Sequence, residues 1–187
     1  MEKRRTLRDR RFSFCPLCAG PLETKTPSLS VCSSCGFRFY QGSKPTAGAL
    51  ILRESPDNPF EKEVLLVKRK FDPFAGMWDV PGGFLENGED PEAGVRREIE
   101  EELGIELVSA SLFRSFPDTY PREDIPEESS HLLALYYICS IGEAPLRAMD
   151  DIAGFAWFPI RRLPEGIAFA GNRKALLALR QHITGEG

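Results

Sequence analysis

Glu98, Glu101 and Glu102 stand at i, i+3 and i+4, a spacing that puts three carboxylates on one side of a helix. The stretch around them, Gly83 to Ile105, holds eight carboxylates against two arginines, Arg96 and Arg97. Like charges this close oppose a helix by roughly a few tenths of a kcal/mol per pair unless something cationic lies between them. A solvated acidic face is the plain reading. A hard divalent cation is the sharper one, because magnesium takes oxygen ligands, keeps several waters and is usually shared with substrate phosphates. Gly94 lies one turn before Glu98, where a helix former would do better by about 1 kcal/mol. A missing side chain there admits a neighbouring backbone or a ligand.

Four cysteines form a second constellation. Cys15-Pro-Leu-Cys18 is followed by thirteen residues and then by Cys32-Ser-Ser-Cys35. Two such knuckles suit tetrahedral zinc, since each tight turn aims two thiolates at one point. The gap is a little short for such sites, but a hairpin spans it. Two disulfides are the alternative, and a reducing compartment argues against them. The fifth cysteine, Cys139, lies in the apolar run LLALYYICSI and reads as a small core residue.

The acidic cluster needs a helix, and its boundaries are well marked. Asp90 can cap the first turn, Pro91 suits the first helical position and Gly104 suits a left-handed stop. Val95, Ile99 and Leu103 make an apolar stripe that seats this helix on a core. Upstream, TAGALILR and EVLLVKR read as strands joined by a Pro- and Asn-containing loop. A loop from Phe71 to Trp78 then leads through Asp79-Val-Pro-Gly82-Gly83 into the acidic stretch, its glycines permitting close backbone approach. Downstream, ELVSASLFRSF reads as a strand and Pro117 to Ser130 as a loop. The strand His131 to Ile141, a short strand GFAWFPI and a last helix, RKALLALRQHI, complete the chain, with Asn172 as that helix's expected cap.

Gly83, Glu89, Arg97-Glu98-Ile99, Glu101-Glu102 and Gly104-Ile105 together, at these intervals, resemble the Nudix box without a departure. The resemblance implies an α/β/α sandwich with a mixed sheet over about Thr46 to Ile183, and hydrolysis of a diphosphate linked to a further moiety. It also implies that Glu98, Glu101 and Glu102 bind Mg (or Mn), that the Gly83 carbonyl assists, and that Arg97 pairs with Glu89 to brace loop against helix. The cysteine segment resembles the zinc ribbon that precedes this domain in one branch of the family, with Cys15, Cys18, Cys32 and Cys35 as ligands of a structural zinc. The expected division is therefore a basic tail and zinc ribbon over 1–43 and a hydrolase domain over 44–187.

In that family the loop before the box lies near the substrate, which makes Phe74 and Trp78 stacking candidates, and Tyr120 is a third. The helix carboxylates being committed to metal, the general base is sought among Glu123, Asp124, Glu127 and Glu128 of the long loop, with Glu101 as their rival. NADH diphosphatases of the ribbon branch follow the box with a Ser-Gln-Pro-Trp-Pro-Phe-Pro run. Here Ser115-Phe-Pro-Asp-Thr-Tyr120 lacks the Gln-Pro-Trp element, which points away from NADH and towards ADP-ribose- or FAD-like diphosphates.

Size and charge bound the partners. At 187 residues with 42% apolar content the chain holds one ordinary domain with a real core plus a small module. A net charge of −4 gives no general attraction to nucleic acid or an anionic membrane. No apolar run approaches the roughly 18 residues of a membrane span. The basic amino terminus has no apolar stretch behind it, so it does not read as a secretory signal and the chain reads as cytoplasmic. A nucleotide-type small molecule is the expected partner, and the oligomeric state, a homodimer included, is left open. The competing classes are a nucleoside triphosphate house-cleaning pyrophosphatase and an RNA- or protein-binding regulator that uses the ribbon.

Overall fold

The computed structural model describes residues 12–121 and 130–185. These residues divide into two compact units, one containing the residues before Lys44 and the other built from Lys44–Tyr120 with the chain from Leu132 onward.

The smaller unit is a three-stranded antiparallel sheet, β1 (Leu22–Thr26), β2 (Leu29–Cys32) and β3 (Arg38–Tyr40). Its core is slight: Cys15, Leu22 and Cys32 are buried, with Phe37 and Phe39 packed against them. So few apolar side chains cannot offset the ordering cost of this many residues, and such modules depend on a staple. The knuckle turns are held by backbone bonds, from Ala19 N–H to the Cys15 carbonyl at 2.9 Å and from Gly36 N–H to the Cys32 carbonyl at 3.0 Å.

The larger unit is the expected α/β/α sandwich. Its central order is β10 (Ile152–Pro159), β5 (Lys62–Arg69), β4 (Lys44–Glu54), β9 (Ser130–Ile141) and β8 (Leu107–Tyr120). The short strands β6 (Trp78–Asp79) and β7 (Gly82–Phe84) pair with β5 and β4. The sheet is mixed: β4 runs parallel to β9 and antiparallel to β5 and β7. Alternation along β4 and β5 supplies both faces. Ala47, Ala49, Ile51, Leu65 and Val67 face a core completed by Val95, Ile99 and Leu103 of helix α1 (Pro91–Leu103). Leu50, Val64 and Leu66 face the opposite core, completed by Ala175, Leu176 and Leu179 of helix α2 (Ala170–Thr184).

The boundaries of α1 follow the sequence reading. The Asp90 side chain accepts from the Glu92 and Ala93 N–H groups, Pro91 opens the helix, and Gly104 closes it at φ 66°. Gly94 is explained by packing: a Cβ there would run into the Leu85 side chain, so the helix gives up a better former to let the preceding loop close on it.

Two expectations need correcting. β8 continues to Tyr120, past the expected loop start at Pro117. It is the edge strand of the sheet, where a proline nitrogen facing solvent forfeits no ladder bond. Asn172 does not cap α2; it is buried within the first turn, and the residue at the cap position is Phe169, which makes no side-chain capping bond. The amide of Asn172 is spent on long-range partners instead.

Candidate active site

Arg97 is the centre of the acidic helix face. Its Nε and Nη2 donate to the two Glu89 carboxylate oxygens at 2.8 and 3.1 Å, and Nη2 also donates to the Phe84 carbonyl at 3.1 Å. Its Nη1 donates to Glu98 at 2.9 Å and to Glu101 at 3.0 Å. All five N–H donors of the guanidinium are thereby used. The bidentate bond holds the Glu89 carboxyl down at about 2, from an ordinary 4.5. Glu89 in turn accepts from the Glu86 N–H at 2.8 Å, which pins the loop to the helix.

The linkage gives a testable sign. The folded Glu89 holds its proton less tightly than the unfolded chain does, so its contribution to stability is present above pH 4.5 and is lost as pH falls towards 2. Glu89→Gln is expected to lower stability at pH 7 and to flatten the stability profile between pH 4.5 and 2, as read from urea midpoints across that range.

Glu102 is differently placed. It is buried and accepts from the Gly82 N–H at 2.9 Å, with no side-chain donor among the described residues. Burial raises its pKa well above the usual carboxylate range, and the charge of Asp151 raises it further. Glu98, half-buried, is also raised by burial, while Arg97 opposes the shift. A Cβ at Gly83 would lie 2.5 Å from a Glu98 oxygen, so only glycine leaves that carboxylate its room. Glu98 and Glu102 beside the two glycines are hard oxygen donors of the kind a small divalent cation takes. The three helix carboxylates do not, however, converge on one point as the four cysteines do, and Arg97 bonds both Glu98 and Glu101.

Gly82 and Gly83 form one wall of a cavity of about 210 Å³. Its aromatic side is Phe84, Tyr120 and Phe169; Tyr120 stacks on Phe169 with centroids 5.7 Å apart and lies 5.6 Å from Phe84. Its polar side is a buried network. Arg69 Nη1 donates to Asp79 at 2.8 Å, Asn172 Nδ2 donates to the other Asp79 oxygen, and the Tyr136 hydroxyl donates to Asn172 Oδ1 at 2.5 Å. Burial pushes Asp79 up to about 6, against the pull of Arg69. Asp118 and Asp151 also line the cavity.

Of the expected stacking residues, Tyr120 lines this cavity. Phe74 stands edge-on behind Phe169 at 5.1 Å, and Trp78 packs edge-on against Phe158 at 4.9 Å, so neither forms the wall. Phe84, Phe169, Asp79, Asp118 and Asp151 were not foreseen. They come from five separate places in the chain, and only an acidic residue beside the Gly82-Gly83 entry, Asp79, carried a local hint. Glu123, Asp124, Glu127 and Glu128 lie outside the described residues.

In the smaller unit the four cysteine sulfurs all lie within 4.8 Å of one another. Cys15 and Cys35 are 3.7 Å apart, and Cys18 and Cys32 are 3.6 Å apart. Four sulfurs held tetrahedrally at about 2.3 Å from zinc would be separated by about 3.8 Å, and no pair is joined as a disulfide. The cluster fits the metal. Cys139, in β9, is buried, and burial pushes its thiol up to about 12, as befits a core residue.

The model of the NUDIX domain matches residues 42–179. The chain belongs to the NUDIX family. Among NUDIX relatives, an ADP-ribose pyrophosphatase of Methanocaldococcus jannaschii is 36% identical over 107 residues, 56% of this chain and 59% of that protein. The NAD-capped RNA hydrolase NudC of Chromobacterium violaceum is 31% identical over 154 residues, 81% of this chain and 51% of that protein. The chain thus spans between half and three fifths of the length of these curated relatives. Among solved structures, the MutT NUDIX hydrolase from Burkholderia pseudomallei aligns with a TM-score of 0.60 at 31% identity, over 73% of this chain and 98% of that one. The NUDIX domain of Shewanella oneidensis NrtR complexed with ADP ribose shares the fold, with a TM-score of 0.61 at 18% identity over 77% of this chain and 90% of that one. Among the described residues no helix is long and apolar enough to cross a membrane.

Proposed function

We propose that this chain hydrolyses the diphosphate bond of a nucleoside diphosphate joined to a second moiety, using a divalent cation held by Glu98, Glu101, Glu102 and the Gly83 carbonyl. The observation that carries the reading is the junction of helix and cavity: Glu102 is bonded to Gly82, Glu98 lies against Gly83, and both glycines line the cavity with its aromatic wall. When bound, the cation supplies positive charge to the diphosphate oxygens and lowers the pKa of water. The protein's own part is positioning, which dominates phosphoryl transfer. Arg97 braces the box loop against α1, the paired glycines admit the diphosphate to the carboxylates, and Tyr120 with Phe84 and Phe169 offers a surface for a planar ring. The water's proton goes to one of Glu123, Asp124, Glu127 and Glu128. Changed singly to Gln, at least one of the four is expected to lower the maximal rate about tenfold or more; if none does, the base lies elsewhere, with Glu101 as the rival candidate.

The relatives' names support the substrate class. An ADP-ribose pyrophosphatase and an NAD-capped RNA hydrolase share adenosine diphosphate joined to a bulky group. The test is a magnesium-dependent screen over ADP-ribose, FAD, NADH, NAD-capped RNA, diadenosine polyphosphates and nucleoside triphosphates, with products resolved by mass. ADP-ribose- or FAD-like compounds are expected to give the highest kcat/KM, and a triphosphate that exceeds all of them overturns the assignment. The residues before Lys44 are assigned as a module stapled by zinc on Cys15, Cys18, Cys32 and Cys35, with 44–187 as the hydrolase domain.

A further inference from the structure

The charges around the cavity do not balance. Among the described residues three carboxylates line it, from Asp79, Asp118 and Asp151, against one cation, Arg69. Arg69 is already committed: Nη1 pairs with Asp79 at 2.8 Å and Nε donates to the Pro73 carbonyl at 2.7 Å. Asp151 acts on the Glu98 and Glu102 carboxylates, so it belongs to the end where a cation is expected. That leaves Asp118. Among the described residues no cationic side chain pairs with it; its oxygens accept only the Gly171 N–H at 2.7 Å and its neighbour's, Thr119 N–H, at 2.8 Å. These bonds fix the carboxylate in place. The fit is close, because a Cβ at Gly171 would run into the Asp118 side chain. A carboxylate offers about four lone-pair sites, and two remain for a ligand. Tyr120 stands two residues further along β8, so its ring and the Asp118 carboxylate share one face of the strand.

From this we infer that Asp118 is a specificity-determining residue: it accepts hydrogen bonds from hydroxyl or amino groups of the moiety lying on the Tyr120 wall, and it excludes versions of that moiety that carry an additional phosphate. The inference rests on the hydrolase reading and narrows it to diphosphates whose flanking groups are uncharged or cationic. A phosphate monoester placed there meets a fixed negative charge with no cation among the described residues to share. A hydroxyl or amino group meets an acceptor that is already oriented.

The experiment compares ADP-ribose with 2′-phospho-ADP-ribose and ADP-ribose 1″-phosphate, which carry the extra phosphate at opposite ends. It uses the full chain with magnesium, as wild type and as Asp118→Asn. Asparagine keeps one oxygen for the Gly171 N–H and removes the charge. Wild type is expected to favour ADP-ribose over at least one phosphorylated compound by about tenfold or more in kcat/KM, and the preference is expected to shrink at about 0.5 M salt. In Asp118→Asn the KM for ADP-ribose rises while kcat/KM for the excluded compound increases about tenfold, so the ratio collapses. Equal use of all three compounds by wild type overturns the inference, as does a preference that neither salt nor Asp118→Asn alters. Absence of hydrolysis of every ADP-linked compound overturns instead the reading on which it rests.

Discussion

Glu102→Gln is expected to lower magnesium-dependent hydrolysis by on the order of a hundred- to a thousandfold while the protein stays folded. Gln keeps the volume and can still accept the Gly82 N–H bond that the carboxylate holds at 2.9 Å. What it removes is negative charge at a buried position already facing Asp151 and Glu98. In the wild type the folded pKa of Glu102 lies well above 4.5, so ionising it opposes folding at high pH, and that opposition fades as pH falls through the folded value. The variant lacks this cost. It should therefore melt at or above the wild-type temperature near neutral pH without added metal, and gain less on adding magnesium. Rate and melting temperature thus move in opposite directions, which separates loss of a cation ligand from loss of structure. A variant that keeps near-full rate at limiting magnesium would remove Glu102 from the site.

Cys18→Ser and Cys35→Ser should each abolish zinc binding and unfold the residues before Lys44, leaving the larger unit folded. Purified wild type is expected to carry about one zinc per chain by elemental analysis. The smaller unit's core is Cys15, Leu22 and Cys32 with two partly buried phenylalanines, and two of the three buried residues are themselves cysteines of the cluster. Without metal little apolar burial remains to hold its three strands, and binding free energy is then folding free energy. The larger unit has two cores on either side of its own sheet, neither of which uses a cysteine of the cluster. Limited proteolysis should therefore degrade the variants' amino-terminal segment and spare the rest. Zinc-free wild-type protein with the knuckles joined as disulfides would refute the assignment.

What could be read in the chain follows the range of the forces involved. Helix α1 was legible because its determinants are local: Asp90, Pro91 and Gly104 act within one turn of themselves. The cysteine knuckles were legible for the same reason. Asn172 was misread because the same amide that caps helices elsewhere is here claimed by Asp79, ninety-three positions away, and by Tyr136. Pro117 was misread because a proline signals a loop unless the strand is an edge, and edge status belongs to the whole sheet. The aromatic wall lay beyond reach of any local signal. Phe84 follows the glycine pair, Tyr120 ends β8 and Phe169 precedes α2, and only the closed fold sets their rings side by side.

The saturation of Arg97 also governs how the box loop breathes. Leu85 to Asp90 has no regular structure of its own, and such a segment would ordinarily open locally and exchange its amide protons within moments. Here the Glu86 N–H is bonded to Glu89, Glu89 to Arg97, and Arg97 to two carboxylates of α1. No bond in that chain can open without stripping a charged partner. The Glu86 amide proton is therefore expected to exchange into deuterated solvent more slowly than the amides of an unbraced surface loop, and to speed up in Glu89→Gln.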